Sequence, residues 1–147
     1  LIGLRHRRLR VLDKVEGSGF LRAAPRIGDV VPADITAAGK LYSVFGEGGD
    51  ELSPAETREI AGRGAAVNRD AWINGLSVLA VPVWQESGQG PGDLVAVLAV
   101  AAASPRFDRL GENEIETRLL AGAASIGERM SAGGVSRRHD RIGRKPR

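Results

Sequence analysis

The chain has 147 residues, 42% of them hydrophobic, with no cysteine and a formal net charge of +3. That length supports one domain with a real core and not two ordinary ones, and the missing cysteines exclude a disulfide framework, a thiolate metal site and a cysteine nucleophile. No run of about 20 apolar residues is present, and the basic opening segment lacks the h-region and cleavage site of a signal peptide, so a soluble, cytoplasmic protein without membrane partners is expected. The first residue, Leu1, already lies inside a strand-like run, from which we expect the later part of a longer polypeptide.

Leu1–Leu4 and Leu9–Val15 are β-rich runs separated by Arg5–Arg8, which predicts a hairpin with a basic, solvated tip. Phe20–Ala24 predicts a third strand, and Pro25 to Pro32 is turn-rich around Gly28 and Asp29. The period then changes. Ile35, Gly39 or Ala38, Tyr42 and Phe45 mark one face of a short helix, capped by Asp34 or Thr36 and stopped by Gly46, Gly48 and Gly49. A second helix starts at Ser53-Pro54, with Ser as cap, Pro in the first turn and Glu56 as capping-box partner, and ends near Gly62–Gly64.

Gly64–Val83 predicts a strand, a bend around Trp72 and Gly75, and a second strand. In that second strand Val78, Ala80 and Pro82 alternate with Leu79, Val81 and Val83, so both faces are apolar and it belongs inside the sheet. Pro82 predicts a bulge or an unpaired N–H there. Gln85–Gly92 is a turn cluster leading into a partner strand at Leu94–Ala102. A last helix from about Asp108 or Gly111 places Ile115, Leu119, Leu120, Ala123, Ile126 and Met130 on one stripe. Glu112, Glu114 and Glu116 near its start and Arg129 near its end complement the helix dipole. Residues 133–147 hold Arg137, Arg138, Arg141, Arg144, Lys145 and Arg147 against Asp140 alone, and predict a basic, disordered tail beyond a domain of residues 1–132. The expected fold class is α+β, a five- or six-stranded, mainly antiparallel sheet covered by three helices, of the kind called GAF-like.

Chemistry has little to stand on. The two histidines, His6 and His139, lie in the hairpin tip and the tail, and neither Gly17–Gly19 nor Ser87–Gly90 forms a nucleophile elbow or a phosphate loop. Asp13 and Glu16, three apart on an expected strand, face opposite sides and make no acid/base pair. No enzyme activity, no cofactor and no metal site is expected.

Four segments in order carry a family resemblance: LDKVEG at Leu12–Gly17, VPADITAAGK at Val31–Lys40, GAAVNRDAWINGLSVLAVPV at Gly64–Val83, and LVAVLAVAAASPRF at Leu94–Phe107. Together they resemble the effector-binding domain of IclR-family transcription regulators, over about residues 4–130. The resemblance implies a GAF-like domain that binds a small-molecule effector, assembles as a homodimer or homotetramer, and controls promoter DNA binding by a winged helix-turn-helix that this chain does not contain. It places the effector between the helix start at Thr36, Ala37, Ala38 and Gly39, the strand and bend holding Asn68, Trp72, Leu76 and Val78, and the strand face of Ala99 and Ala101. Backbone N–H groups at the helix start would meet a carboxylate, and Thr36 and Asn68 would orient it.

Where relatives of this kind read SVSGP, the chain reads AVAAA at Ala99–Ala103, replacing hydroxyls by methyls at Ala99 and Ala101. Each replacement would leave a buried polar ligand group unpaired at about 1–3 kcal/mol, which implies an aromatic or aliphatic carboxylic acid. Two other readings compete. A GAF-like interaction or oligomerisation module would use the alanines as core filler, with Thr36 only a cap and Trp72 only packing over the core edge. Direct nucleic-acid binding would use the arginine-rich tail, with a steep salt dependence.

Overall fold

The computed structural model describes residues 1–17, 25–46, 52–86 and 92–138, with side chains to residue 133. In chain order the elements are β1 (Ile2–Arg5), β2 (Arg8–Val11), α1 (Ala37–Phe45), α2 (Pro54–Arg63), β3 (Ala66–Arg69), β4 (Leu76–Gln85), β5 (Asp93–Ala103), α3 (Ser104–Leu110) and α4 (Glu112–Arg138). The strands make one antiparallel sheet in the order β2-β1-β5-β4-β3. The α+β class and the antiparallel sheet agree with the expectation from sequence, with five strands among the described residues. The strand expected at Phe20–Ala24 lies outside them.

Alternation along β4 divides the core into two. Ala80 points with Val97, Leu9 and Val11 toward α1, where Ala37, Ala38, Leu41 and Tyr42 cover them. Leu79, Val81 and Val83 point the other way with Ala96 and Ala102, toward Phe107 of α3 and Ile115, Leu119 and Ala123 of α4. Because β4 is apolar on both faces it must lie between two layers of helix, and it does.

Helix ends follow their local chemistry. The Thr36 hydroxyl accepts from Gly39 N at 3.1 Å and caps α1, so Thr36 and not Asp34 is the cap. Ile35 therefore precedes the helix and is exposed, which removes it from the expected apolar face. Ser53 caps α2 through Glu56 N at 3.2 Å, while the Glu56 carboxylate pairs with Lys40 at 2.6 Å. Gly64, with φ 70°, closes α2 by donating to the Ile60 carbonyl.

Two further expectations are corrected. The last helix is two, α3 and α4, because Gly111 with φ 81° and ψ 126° cannot continue a helix, so the described residues hold four helices and not three. On α4, Leu120 and Met130 are exposed, and the inward stripe is Ile115, Leu119, Ala123, Ile126 and Gly127. At Gly127 a Cβ would lie 2.1 Å from the Trp84 carbonyl oxygen, so the glycine lets the α4 backbone rest on β4. Of the two alternatives at Pro82, the bulge falls one residue on, at Val83/Trp84, while Pro82 itself is buried and in register with Val97. β3 reaches only to the pair Ala66↔Ala80, so Pro82 sits where β4 has one neighbour, and a missing N–H is tolerated there.

β2 stops at Val11, short of the expected Val15. Leu12 and Asp13 both turn their N–H groups on the Leu1 carbonyl, and Asp13 then bonds Lys14 N at 2.8 Å, which turns the chain away. Asp13 and Glu16 thus lie outside any strand, and Glu16 pairs with Lys14 at 2.7 Å. At the other end α4 runs on to Arg138, six residues past 132.

Candidate functional site: the open end of the α1 face

The face of the sheet under α1 is only partly covered. Ala80 and Val97 are fully buried beneath the helix, whereas one pair further along, where Val78 lies opposite Ala101, Val78 is half-buried and Ala101 exposed. Ala99, opposite Ala80, is half-buried. This small-residue floor runs out from under the helix at the end where α1 begins.

The start of α1 is held over that floor by two side chains. Thr36 Oγ1 donates to the Pro32 carbonyl at 2.5 Å and accepts from Gly39 N. Asn68, buried on β3, accepts from Ala37 N at 3.3 Å through Oδ1. Lys40 N is bonded to the Thr36 carbonyl at 3.0 Å. Of the first N–H groups of the helix, that of Ala38 makes no bond among the described residues. The Asn68 amide, fixed by its oxygen, likewise makes no bond through Nδ2 among them. Both are donors in a region with partial positive character.

The structure therefore brings Thr36, Ala37, Ala38, Gly39, Asn68, Val78 and Ala99 together on one face. Trp72, in the bend before β4, packs half-buried against the same cluster. Leu76 is buried at the start of β4, and Ala101 is the exposed member opposite Val78. The bend is fixed by Asp70, which adopts φ 55° and takes Gly75 N at 2.6 Å, while Gly75 has φ 79°. Two roles escaped sequence reasoning. Asn68 bridges β3 to the helix start, and Gly39 is the position that must be small: a Cβ there would lie 1.8 Å from the Ala33 carbonyl oxygen. A glycine three residues into a capped helix was the available signal, since it is unfavourable for the helix itself.

Charge gathers elsewhere, around the β3 edge. Arg63 at the end of α2 pairs with Glu112 at 2.7 Å and with Glu116, and Arg69 on β3 pairs with Asp108 at 2.7 Å and Glu112 at 3.2 Å. Hydrogen bonding by Arg63 holds the Glu112 carboxyl below its usual range, against partial desolvation, and Arg69 adds to this. The Arg69 guanidinium also lies 5.0 Å from the Phe107 ring centroid. These pairs tie α2, β3, α3 and α4 together and are structural. No group of three or more His, Cys, Asp or Glu among the described residues could hold a metal ion, and no helix among them is long and apolar enough to cross a membrane.

No protein-family model matches the chain, and no curated protein does. Solved structures do. The chain is similar to the transcriptional regulator YaiJ, with 22% identity, a TM-score of 0.75, and 88% of this chain and 83% of that one covered. It is similar to the Thermotoga maritima IclR protein at 20% identity and TM-score 0.73, covering 88% of this chain and 60% of that one. The C-terminal domain of the E. coli regulator KdgR matches at 18% identity and TM-score 0.66, with 88% and 85% covered. The fold is that of IclR-type C-terminal domains. The IclR-like sheet and its flanking helices account for most of the chain, which spans 55% to 60% of the regulators HmgR of Pseudomonas aeruginosa and the Thermotoga protein.

Proposed function

We propose that this IclR-like domain is the effector-binding and oligomerisation domain of a transcription regulator. On this reading it is not an enzyme: it binds a small aromatic or aliphatic carboxylic acid and so biases promoter DNA binding by a helix-turn-helix outside the chain. The similarity to regulators supports the class. The observation that carries the ligand is the placement of two donors that make no bond among the described residues, Ala38 N–H and Asn68 Nδ2, at the end of the α1 face where Val78, Ala99 and Ala101 are half-buried or exposed. A carboxylate fits donors at a helix start, and methyl groups on the floor suit an apolar body. Binding acts by differential affinity for two arrangements of a homodimer or homotetramer.

The second reading is an interaction module with no ligand. It is favoured by the same two side chains, since Thr36 and Asn68 already take two of the N–H groups a ligand would use. Thermal unfolding against a panel of carboxylic acids separates them. A true effector at one hundred times its Kd stabilises by about 2.7 kcal/mol, which raises the midpoint by several degrees. Ala101→Phe, a change at an exposed position, is expected to leave the unliganded midpoint in place and abolish the shift. An undiminished shift in that variant removes the proposed floor, and no shift from any acid favours the module.

A further inference from the structure

The β1–β2 hairpin tip breaks two rules of hairpin chemistry at once. Its two turn residues, His6 and Arg7, both adopt left-handed conformations, with φ 48° and 62°, in a turn whose favoured occupants are Asn and Gly. Flanking them, Arg5 and Arg8 stand directly opposite each other, a like-charge cross-strand pair that weakens a sheet. Local rules broken together without a packing gain point to function.

Strand alternation fixes where these charges go. Leu9 and Val11 turn into the core beneath α1, so Arg8 and Arg10, and Arg5 opposite Arg8, project from the other side of the sheet. There α4 lies over β4 and β5, and among the described residues no helix packs broadly over β1 or β2 on that side. Arg5, Arg7 and Arg8 are exposed, and Arg10 is steadied by donating to the Gly28 carbonyl at 2.7 Å. Among the described residues, none of the ion pairs includes any of the four. Asp29, whose carbonyl accepts from Val11 N beside β2, takes Arg26 N on its carboxylate at 2.8 Å. Charge is segregated along the chain as well: residues 1–10 hold four arginines and no carboxylate, whereas residues 11–132 hold eleven cationic and seventeen acidic residues.

We propose that the arginine stripe Arg5, Arg8 and Arg10, with Arg7 at its tip, is a docking surface for the phosphate backbone of duplex DNA. Every cation in the stripe is a guanidinium, the group that pairs bidentately with phosphate. A strand rise of about 3.4 Å per residue places Arg8 and Arg10 about 7 Å apart, commensurate with one phosphate per 3.4 Å of axis on each DNA strand. A two-stranded ribbon also has the width that a duplex groove admits. The contact is sequence-independent and stands whether or not the α1 face binds an effector.

The test is fluorescence anisotropy of a short duplex of mixed sequence with the full 147-residue chain, in a background where Arg137, Arg138, Arg141, Arg144, Lys145 and Arg147 are changed to Gln so that the tail does not contribute. R5E/R8E is expected to weaken binding by more than tenfold at low salt, and to reduce the salt slope by about 2, since each lost phosphate contact is worth about 0.9. The double variant His6→Asn/Arg7→Gly supplies the favoured turn; it is expected to raise the unfolding midpoint by about 2–4 °C while weakening duplex binding several-fold. Opposite signs of stability and binding separate function from folding. Unchanged affinity and salt slope in R5E/R8E would overturn the proposal, as would binding that disappears on neutralising the tail alone. Equally tight, competing binding of a polyglutamate peptide would overturn the assignment to DNA and point to an acidic protein surface.

Discussion

The two faces of the sheet are built from different materials. Under α3 and α4 the sheet presents Leu79, Val81 and Val83 to Phe107, Ile115 and Leu119, with large side chains fully removed from water. Under α1 it presents Leu9, Val11 and Val97 with the small residues Ala80 and Ala99 to Ala37, Ala38 and Leu41, and the start of the helix is held by the polar side chains of Thr36 and Asn68. The first face gains its stability from apolar area removed from water. The second brings two backbones close and leaves donors and open floor at one end. Stability and the candidate site are thus separated by one sheet thickness, with β4 as the shared wall.

The separation can be broken most forcefully from the α3/α4 side. Phe107 is wholly buried, and Phe107→Ala is expected to destabilise by about 3–5 kcal/mol, seen as a large drop in urea midpoint with little change in slope. A loss below 1 kcal/mol would mean that the α3/α4 layer is not the stabilising one. On the other face, Gly39→Ala sets a Cβ against the Ala33 carbonyl oxygen, a backbone atom that cannot swing aside. We expect a loss of about 3 kcal/mol, the upper range for overpacking, with the α1 amides losing protection from hydrogen exchange before those of α4. Uniform loss across both faces would show that the two layers unfold as one. Thr36→Ala removes the cap and the bond to the Pro32 carbonyl and is expected to lose about 1–2 kcal/mol, with Thr36→Ser restoring most of it. Equal losses in the two variants would assign Thr36 a packing role.

Large-scale architecture was legible because it rests on pattern. The two-sided apolar run of β4 demanded two layers, and Ser53-Pro54 and Gly64 marked α2 from end to end. What stayed hidden depended on who meets whom in space. That Asn68 reaches Ala37, or that Gly39 rests on Ala33, follows from the packing of segments about thirty residues apart or from a turn path that no period encodes. The split at Gly111 was hidden differently: Ser104-Pro105 is a good helix start, but the strand reading of Leu94–Ala102 runs straight into it. Exposed Leu120 and Met130 show the limit of the stripe argument, since a long helix touches the sheet over a narrower arc than its apolar residues span.

The smallest expected effect concerns the charges that join the two layers around β3. Arg63 comes from α2 on one side, and Glu112 and Glu116 from α4 on the other. Arg63, then Arg69, holds the Glu112 carboxyl below its usual value of 4.5. A carboxyl whose folded value is depressed stabilises the fold at pH above its unfolded value, and that contribution is lost as the pH falls through the folded value. Arg63→Gln is therefore expected to lower the unfolding midpoint at pH 7, and the gap to the parent protein should close as the pH falls below about 4.5. The side chains are partly solvated, so the gap is modest and shrinks in high salt. A gap that stays constant down to pH 3 would mean that Arg63 acts through its aliphatic stem packed between the layers, in which case Arg63→Met, and not Arg63→Gln, would restore the parent midpoint.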